Sequence, residues 1–304
     1  MNASLRLLEH VQRAVVGIQV QVPPTHPSVL MGLGSDRRGT GTLVGADGLI
    51  VTVNYMIMGA RDVIVTFHDG RQVTGQVVAR DFTTSLGLVK IDGRDLPYLE
   101  VVSSQTAALG QEILVVSSLG ADKRCADTGL VSYLGPFDAV WEFVLERCVC
   151  VTLSDFPHRV GLSGGPIVNS KGQLLAVSYL NFPEWTRPIL GIPGECFLSG
   201  RDELVRHGHR VSTPPRLWLG VLSYTIREHV VIAGVMPGSP SEKAGLRQGD
   251  LVLSADGHEI HERKALYEAI NRHRPGESVQ LRIMRNNRIH DVMIPAIKVD
   301  DYLA

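Results

Sequence analysis

The sequence predicts a mainly β chain that closes with a smaller α+β domain. Three observations carry this. Most of residues 15 to 198 is short β-rich runs separated by glycine-bearing turns, a pattern of barrels or sandwiches. The stretch "RVSTPPR" at 210 to 216 is polar and holds two prolines, which reads as a linker between domains. From 216 to 298 strands alternate with two helical stretches, so the architecture changes after the linker.

The elements follow in chain order. Leu5 to Arg13 behind Ser4, a helix N-cap residue, predicts a first helix. "GTGTLVGADGLIVTV" (39 to 53) predicts a hairpin about Asp47-Gly48, and "VIVTFHDGRQVTGQVV" (63 to 78) one about Asp69-Gly70. "PIVNSKGQLLAVSYL" (166 to 180) repeats the pattern about Asn169 to Gly172. "SGRDELVRHG" predicts a helix capped by Ser199 and stopped by Gly208. Beyond the linker, "SPSE" (239 to 242) is a capping box with Pro240 at the first helical position, and Gly245 ends that short helix. "GDLVLSADGHEI" predicts a hairpin about Asp256-Gly257. Residues 263 to 273 place Leu266, Ala269 and Ile270 on one helical face before Pro275-Gly276. "SVQLRIMRNNRIHDVMI" predicts a last strand pair across Asn286-Asn287.

Composition narrows the function classes. At 304 residues the chain is long enough for two domains, and 44% hydrophobic with 20% charged residues is an ordinary globular balance. Thirty Lys and Arg against 31 Asp and Glu leave no basic excess for a nucleic-acid partner. No run approaches the roughly 20 apolar residues of a membrane span. The first twenty residues lack a leader pattern, because Arg6, Glu9, His10 and Arg13 break the apolar positions. The expected location is the cytoplasm if Met1 is the native start, and the cell envelope or periplasm if the sequence was trimmed. Cys125, Cys148, Cys150 and Cys196 show no metal-ligand spacing and read as small buried residues, so no metal and no cofactor is expected. Cys148 and Cys150 alternate as on a strand and share one face, poorly placed for a disulfide with each other.

The chemistry-bearing motifs are "GTGTLV", "GLSGGPIVN" at 161 to 169, and "WLGV…GVMPGSPSEKAGLRQGDLVLSADGHEI" after the linker. Together, from about Val11 to Lys298, they resemble the HtrA family of trypsin-like serine proteases with a C-terminal PDZ domain. The resemblance implies a chymotrypsin/trypsin-like double β-barrel of two six-stranded barrels over 1–208. A linker at 209–215, an α+β PDZ domain at 216–298 and a tail at 299–304 complete the expected organisation.

The resemblance also assigns a site and shows where this chain departs from it. Ser163 stands at the nucleophile position, with an oxyanion hole expected from the N–H groups of Gly161 and Ser163. Counting back from Gly59-Ala60 in "VTVNYMIMGA" puts Tyr55 where the family has its histidine. Counting back from Val89-Lys90-Ile91 in "DFTTSLGLVKI" puts Ser85 where it has its aspartate. Leu162 replaces the small polar residue usual before the serine. A phenol with an ordinary pKa near 10 is a donor at neutral pH, and a serine cannot stabilise an imidazolium. Losing the triad's base costs up to about a millionfold in turnover, while the hole alone sustains roughly a thousandfold over water. Ser163 therefore reads more readily as part of a turn that the barrel needs than as a working nucleophile. Other candidate bases are His158, His68, Asp81 and Asp155, with His158 the first to consider although it reads as a solvated loop residue.

The PDZ half carries an intact signal. Leu219, Gly220 and Val221 match the loop that holds a peptide's terminal carboxylate, and Leu266 and Ile270 are expected to line the apolar pocket or to be ordinary core. Arg216 lies near enough in sequence to help neutralise that carboxylate. The expected function is a pseudoprotease that binds peptide or protein C-termini as scaffold, chaperone or regulator of an active relative. The alternative is a weak or conditional endopeptidase using Ser163 with an unconventional base. A third reading is a structural homotrimer subunit, with trimerisation in doubt because residues 1 to 20 hold no aromatic. The apolar tail "VDDYLA" is a further candidate PDZ ligand, of its own or another molecule.

Overall fold

The computed structural model describes residues 3–118, 123–138, 144–154, 161–181 and 188–303. Residues 1–24, 33–137 and 145–211 form one compact unit, and 212–304 belong to a second.

Helix α1 (Ala3–Ala14) leads into the first barrel. It already includes Ser4, so that residue lies inside the helix and not at its cap. The barrel strands are β1 (Val15–Gln21), β2 (Asp36–Leu43), β3 (Leu49–Val53), β4 (Asp62–Thr66), β5 (Gln72–Arg80) and β6 (Leu86–Lys90). They close in the order β1-β2-β3-β6-β5-β4. The helical turn α2 (Asn54–Ile57) follows β3. Ile18, Leu43, Ile50, Val65 and Leu88 are among the side chains this barrel buries. The Asp47-Gly48 and Asp69-Gly70 hairpins form as predicted, with Gly48 at φ 91° and Gly70 at φ 86°.

The second barrel holds β7 (Glu112–Ser118), β8 (Arg124–Asp138), β9 (Val144–Leu153), β10 (Pro166–Val168), β11 (Leu174–Asn181) and β12 (Ile189–Pro193). It closes as β10-β11-β12-β9-β8-β7. Val115, Val149, Val151, Ile167 and Ala176 centre its core, and Leu162 joins them. The fold is thus mainly β, two six-stranded barrels of the chymotrypsin type ahead of a PDZ-like domain. Helices α3 (Gly194–Leu198) and α4 (Arg201–His207) close the unit. The N-cap of α4 is Gly200, without a side-chain bond, and Ser199 instead ends α3. The two short helices abut, so the predicted cap residue serves as a C-terminus. Gly208 stops α4 in the left-handed region, φ 78°, as its sequence position predicts.

In the second unit β13 (Leu217–Trp218) pairs with β20 (Ile297–Lys298). The main sheet runs β14 (Val221–Ile226), β15 (His229–Val235), β16 (Leu251–Ala255), β18 (Ser278–Arg285), β19 (Arg288–Pro295), and β17 (His258–Glu259) pairs with β16. β14 is an edge strand. Two helices pack here, α5 (Pro240–Lys243) and α6 (Arg263–Asn271). The box at α5 is real but shifted: Ser239 Oγ accepts from Glu242 N–H at 3.2 Å, while Glu242 Oε2 accepts from Gly238 N–H at 2.7 Å. Asn286 and Asn287 both take positive φ, 49° and 58°, as a two-residue hairpin demands.

The tail does not lie along β14. It forms α7 (Val299–Leu303) on its own domain, where Val299 N–H donates to Arg216 O at 3.1 Å. The Tyr302 and Trp218 ring centroids are 5.0 Å apart, Tyr302 Oη donates to Pro237 O, and Val299 and Leu303 are buried. An apolar tail so placed is covered as helix, and in this structure it is not an added strand.

Candidate functional sites: a serine loop and a carboxylate loop

Ser163 sits on a tight loop whose shape is set from both barrels. Leu162 is buried in the second barrel core and pins the loop from below. Ser178 Oγ on β11 donates to the carbonyls of Leu162 and Gly165, and Ser178 N–H donates to Gly165 O at 2.8 Å. From the first barrel, Thr40 N–H donates to Ser163 O at 2.9 Å and Thr40 Oγ1 donates to Gly161 O at 2.5 Å. Gly164 has φ 85°, and a Cβ there would lie 2.0 Å from Thr40 O. No other residue fits that approach. The "GTGTLV" strand therefore supports the serine loop, which its sequence position alone does not reveal.

Tyr55 meets Ser163. Its Oη is 2.5 Å from Ser163 Oγ and 2.7 Å from the Tyr179 carbonyl oxygen. A phenol has one proton and a carbonyl only accepts. When both contacts are made, Tyr55 donates to Tyr179 O and the Ser163 hydroxyl donates to the phenol oxygen. The rings of Tyr55 and Tyr179 meet edge to face at 5.2 Å, 75° apart. Burial pushes the Tyr55 phenol up to about 12, and its bond with Ser163 offsets only part of that rise. The proton of Ser163 thus points at an oxygen that is neutral at physiological pH. The backbone of Tyr55 is held by Arg37 on β2, whose Nη1 donates to Tyr55 O at 2.6 Å and to Met58 O at 3.1 Å. Burial lowers the Arg37 guanidinium to about 10.

Ser85 is buried with φ 64°, a left-handed conformation rare outside glycine. Its carbonyl accepts from Asn54 N–H at 2.8 Å, which joins its loop to the start of α2. Asp81 is committed elsewhere. It accepts from Thr83 N–H at 2.9 Å and Thr84 Oγ1 at 2.6 Å, and it forms a buried ion pair with Arg210 Nε at 2.7 Å. Arg210 Nη2 also donates to Cys196 O at 2.5 Å, so the chain leaving α4 is strapped to the Ser85 loop. His68 is exposed at its hairpin tip. His158 and Asp155 lie outside the described residues. No hydrogen bond among the described residues engages the N–H of Gly161 or Ser163.

The second site is the turn at Leu219–Gly220. Gly220 has φ 87°, and a Cβ there would meet Ser239 Cβ at 2.1 Å. Ser239 Oγ donates to Gly220 O at 3.3 Å, Met236 N–H donates to the same carbonyl at 2.9 Å, and Ser241 N–H donates to Leu219 O at 3.0 Å. With its carbonyls tied back, the loop is fixed at the end of edge strand β14. Leu219, Val221, Leu266 and Ile270 are all wholly buried in the domain core. Leu266 and Ile270 present no surface to a ligand here, which is the ordinary-core alternative. On α6 the ring of Tyr267 has its centroid 5.9 Å from the Arg216 guanidinium and 5.7 Å from that of Arg263. A tyrosine four residues after an arginine shares its helical face, and that was the signal available in "RKALY".

Neither site holds a metal-ligand set: no group of three or more His, Cys, Asp or Glu among the described residues could bind one. The four cysteines are free, and Cys148 and Cys150 face each other with sulfurs 3.7 Å apart. Among the described residues no helix is long and apolar enough to cross a membrane.

Comparison with known proteins agrees with this architecture. Residues 39–177 match the trypsin-like peptidase domain family and 218–295 match the PDZ domain family. The chain is similar to a "Probable periplasmic serine endoprotease DegP-like" of Halomonas elongata, 26% identical over 298 residues, covering 91% of this chain and 60% of that one. A namesake in Hahella chejuensis is 27% identical over 271 residues, covering 84% and 56%. The chain thus spans little more than half the length of these relatives. Among solved structures, an "HtrA-type protease AlgW with tripeptide" superposes with a TM-score of 0.59 at 22% identity, covering 98% of this chain and 97% of that one. A serine endoprotease from Yersinia pestis gives 0.59 at 22% identity, covering 99% of each. Two closed barrels carrying a GxSGGP loop, followed in sequence by a PDZ domain, give this chain the two domain families whose models it matches, a trypsin-like peptidase domain and a PDZ domain, in the arrangement of the serine endoproteases it is similar to.

Proposed function

We propose that the chain is an HtrA-like pseudoprotease, with a (pseudo)protease domain over 1–208 and a PDZ domain over 216–298 that recruits peptide or protein C-termini. One observation carries it: the oxygen 2.5 Å from Ser163 Oγ belongs to a phenol, not to an imidazole. The phenol is raised to about 12 by burial and takes no proton from a serine near neutral pH. Ser85, at the position the family gives to aspartate, supplies no charge. The N–H groups of Gly161 and Ser163 would still form a hole that binds a peptide carbonyl without turnover. The role of such a protein is scaffold, chaperone or regulator of an active relative. The relatives are named periplasmic, which favours the cell envelope over the cytoplasm for this chain.

The test is labelling with a fluorophosphonate probe beside casein hydrolysis, comparing the wild type with Ser163→Ala. The proposal expects neither labelling nor hydrolysis. Labelling that vanishes in Ser163→Ala would reveal an activated serine and establish the rival endopeptidase, with His158 the next residue to replace. The pair Tyr55→His with Ser85→Asp is expected to raise both signals by on the order of a hundredfold or more, part of the full triad contribution.

A further inference from the structure

Strand β9 carries two thiols side by side. Val149 and Val151 belong to the second barrel core, so Cys148 and Cys150 lie on the opposite face of the strand. Their sulfurs are 3.7 Å apart and both thiols are free. Cys148 is wholly buried, and Cys150 keeps 7% exposure, which leaves an approach from its side. Leu190 on β12 stands directly opposite Cys150 and is buried, so the pair has an apolar neighbour. Neither of the two loops uses this pair.

The spacing separates the reactions open to two thiols. A disulfide needs sulfurs about 2.05 Å apart and Cβ atoms about 3.8 Å apart. Residues two apart on a strand are about 6.6 Å apart at Cα. β9 is held on both sides, by β8 and β12, and resists the pucker that would close the gap. A metal ion in line between two sulfurs needs them about 4.6 Å apart, twice a metal–thiolate bond of about 2.3 Å. Each sulfur then moves by less than about 0.5 Å, a side-chain adjustment within one rotamer well. Zinc takes four ligands, and no third His, Cys, Asp or Glu among the described residues joins the pair. Two soft sulfurs without further donors suit a soft monovalent cation, Cu(I), which thiolates select.

We infer that Cys148 and Cys150 form a two-coordinate site for Cu(I). Binding replaces both S–H bonds with Cu–S bonds and releases two protons, with no change of oxidation state. The bound site carries one net negative charge. Arg147 brings a positive charge to it: its Nη2 donates to Ser104 O at 3.2 Å, and its Nε is buried with no hydrogen-bond partner among the described residues. In the metal-free pair, the bond with Cys150 and burial hold the Cys148 thiol protonated, and the Arg147 guanidinium favours its thiolate. A cation between the sulfurs removes that opposition, because a coordinating thiol gives up its proton.

The test uses the full chain with Cys125→Ser and Cys196→Ser, so that the pair holds its only thiols. Cu(I), delivered anaerobically as its acetonitrile complex, is titrated against the chromogenic chelator bicinchoninate. One Cu(I) per chain is expected to be withheld from the chelator, with new thiolate-to-copper absorption in the near ultraviolet and a higher denaturant midpoint. Zn(II) under the same conditions is expected not to be retained. Cys148→Ser and Cys150→Ser should each weaken Cu(I) binding by more than the roughly hundredfold that losing a group bonded to a ligand can cost. No Cu(I) withheld, or equal retention of Zn(II), would overturn the inference. Binding that survives both serine changes would overturn it too. The comparison of Cu(I) with Zn(II) on the parent chain is decisive even if a serine variant fails to fold.

Discussion

The serine loop and the carboxylate loop are built alike and bear loss differently. Each turns on a glycine with φ near 85°, Gly164 at 85° and Gly220 at 87°. Each has its carbonyls tied back by a serine hydroxyl, Ser178 in one and Ser239 in the other. Their chemistry has different sources. On the PDZ reading proposed above, the carboxylate loop works through backbone N–H groups, so any sequence that keeps the shape keeps the function. On the pseudoprotease reading, the serine loop needs a base and an acid from two distant side chains, and this chain carries Tyr55 and Ser85 in their places. On that reading, function drawn from shape survives drift that function drawn from side-chain identity does not.

The sharpest way to break the comparison is to spoil the two glycines. Gly164→Ala puts a Cβ 2.0 Å from the Thr40 carbonyl, between two barrels that cannot both retreat. It is expected to cost about 4 kcal/mol, the range of severe core lesions, read by denaturant unfolding. Gly220→Ala meets only the Ser239 side chain, at 2.1 Å. Its expected cost is smaller, about 2 kcal/mol of backbone strain, but peptide binding should drop by more than tenfold. If Gly164→Ala proves nearly neutral, the serine loop is not a structural necessity. Its retention would then speak for chemistry at Ser163.

Leu162 sharpens the same contrast at smaller amplitude. Although it sits on the serine loop, it belongs to the second barrel core. Leu162→Ala is expected to destabilise by about 3 kcal/mol through lost burial and a residual cavity. A value near zero would mean that the loop is held from the first barrel, by Thr40, and that its shape was never bound to the core.

How far the sequence revealed these sites follows from the range of the forces involved. Turns at Asp69-Gly70 and Asn286-Asn287 are set by local φ, so the residues declare them. The pairing of Tyr55 with Ser163 was readable only through a resemblance, because 108 residues separate them. The Tyr179 carbonyl was not readable at all, since a backbone oxygen has no residue signature. Arg37 and Thr40 were missed for a related reason: each works by donating to carbonyls of another element. On α6, apolar spacing singled out Leu266 and Ile270 and passed over Tyr267. An apolar stripe marks the core face, and Tyr267 lies at the neighbouring edge of that stripe, beside two arginines. Ser199 failed as a cap because two short helices abut there, and a capping residue does not say which helix it ends.

The smallest expected effect bears most directly on the proton at Ser163. The Tyr55 phenol is raised from an ordinary value near 10 to about 12, chiefly by burial. A group whose folded value lies above its unfolded one stabilises the fold fully below the unfolded value. That contribution is lost as the pH climbs through the folded value, here between about 10 and 12. Tyr55→Phe should therefore change stability at pH 7 by only about 1 kcal/mol, the net value of the lost hydroxyl contacts. The ultraviolet tyrosinate difference between wild type and Tyr55→Phe should stay flat through pH 10 and rise only near pH 12. A difference already rising at pH 8 would mean a phenolate within reach of neutral pH. Tyr55 would then be able to take the proton that the hydroxyl of Ser163 points at it, and the line between the two loops would have to be redrawn.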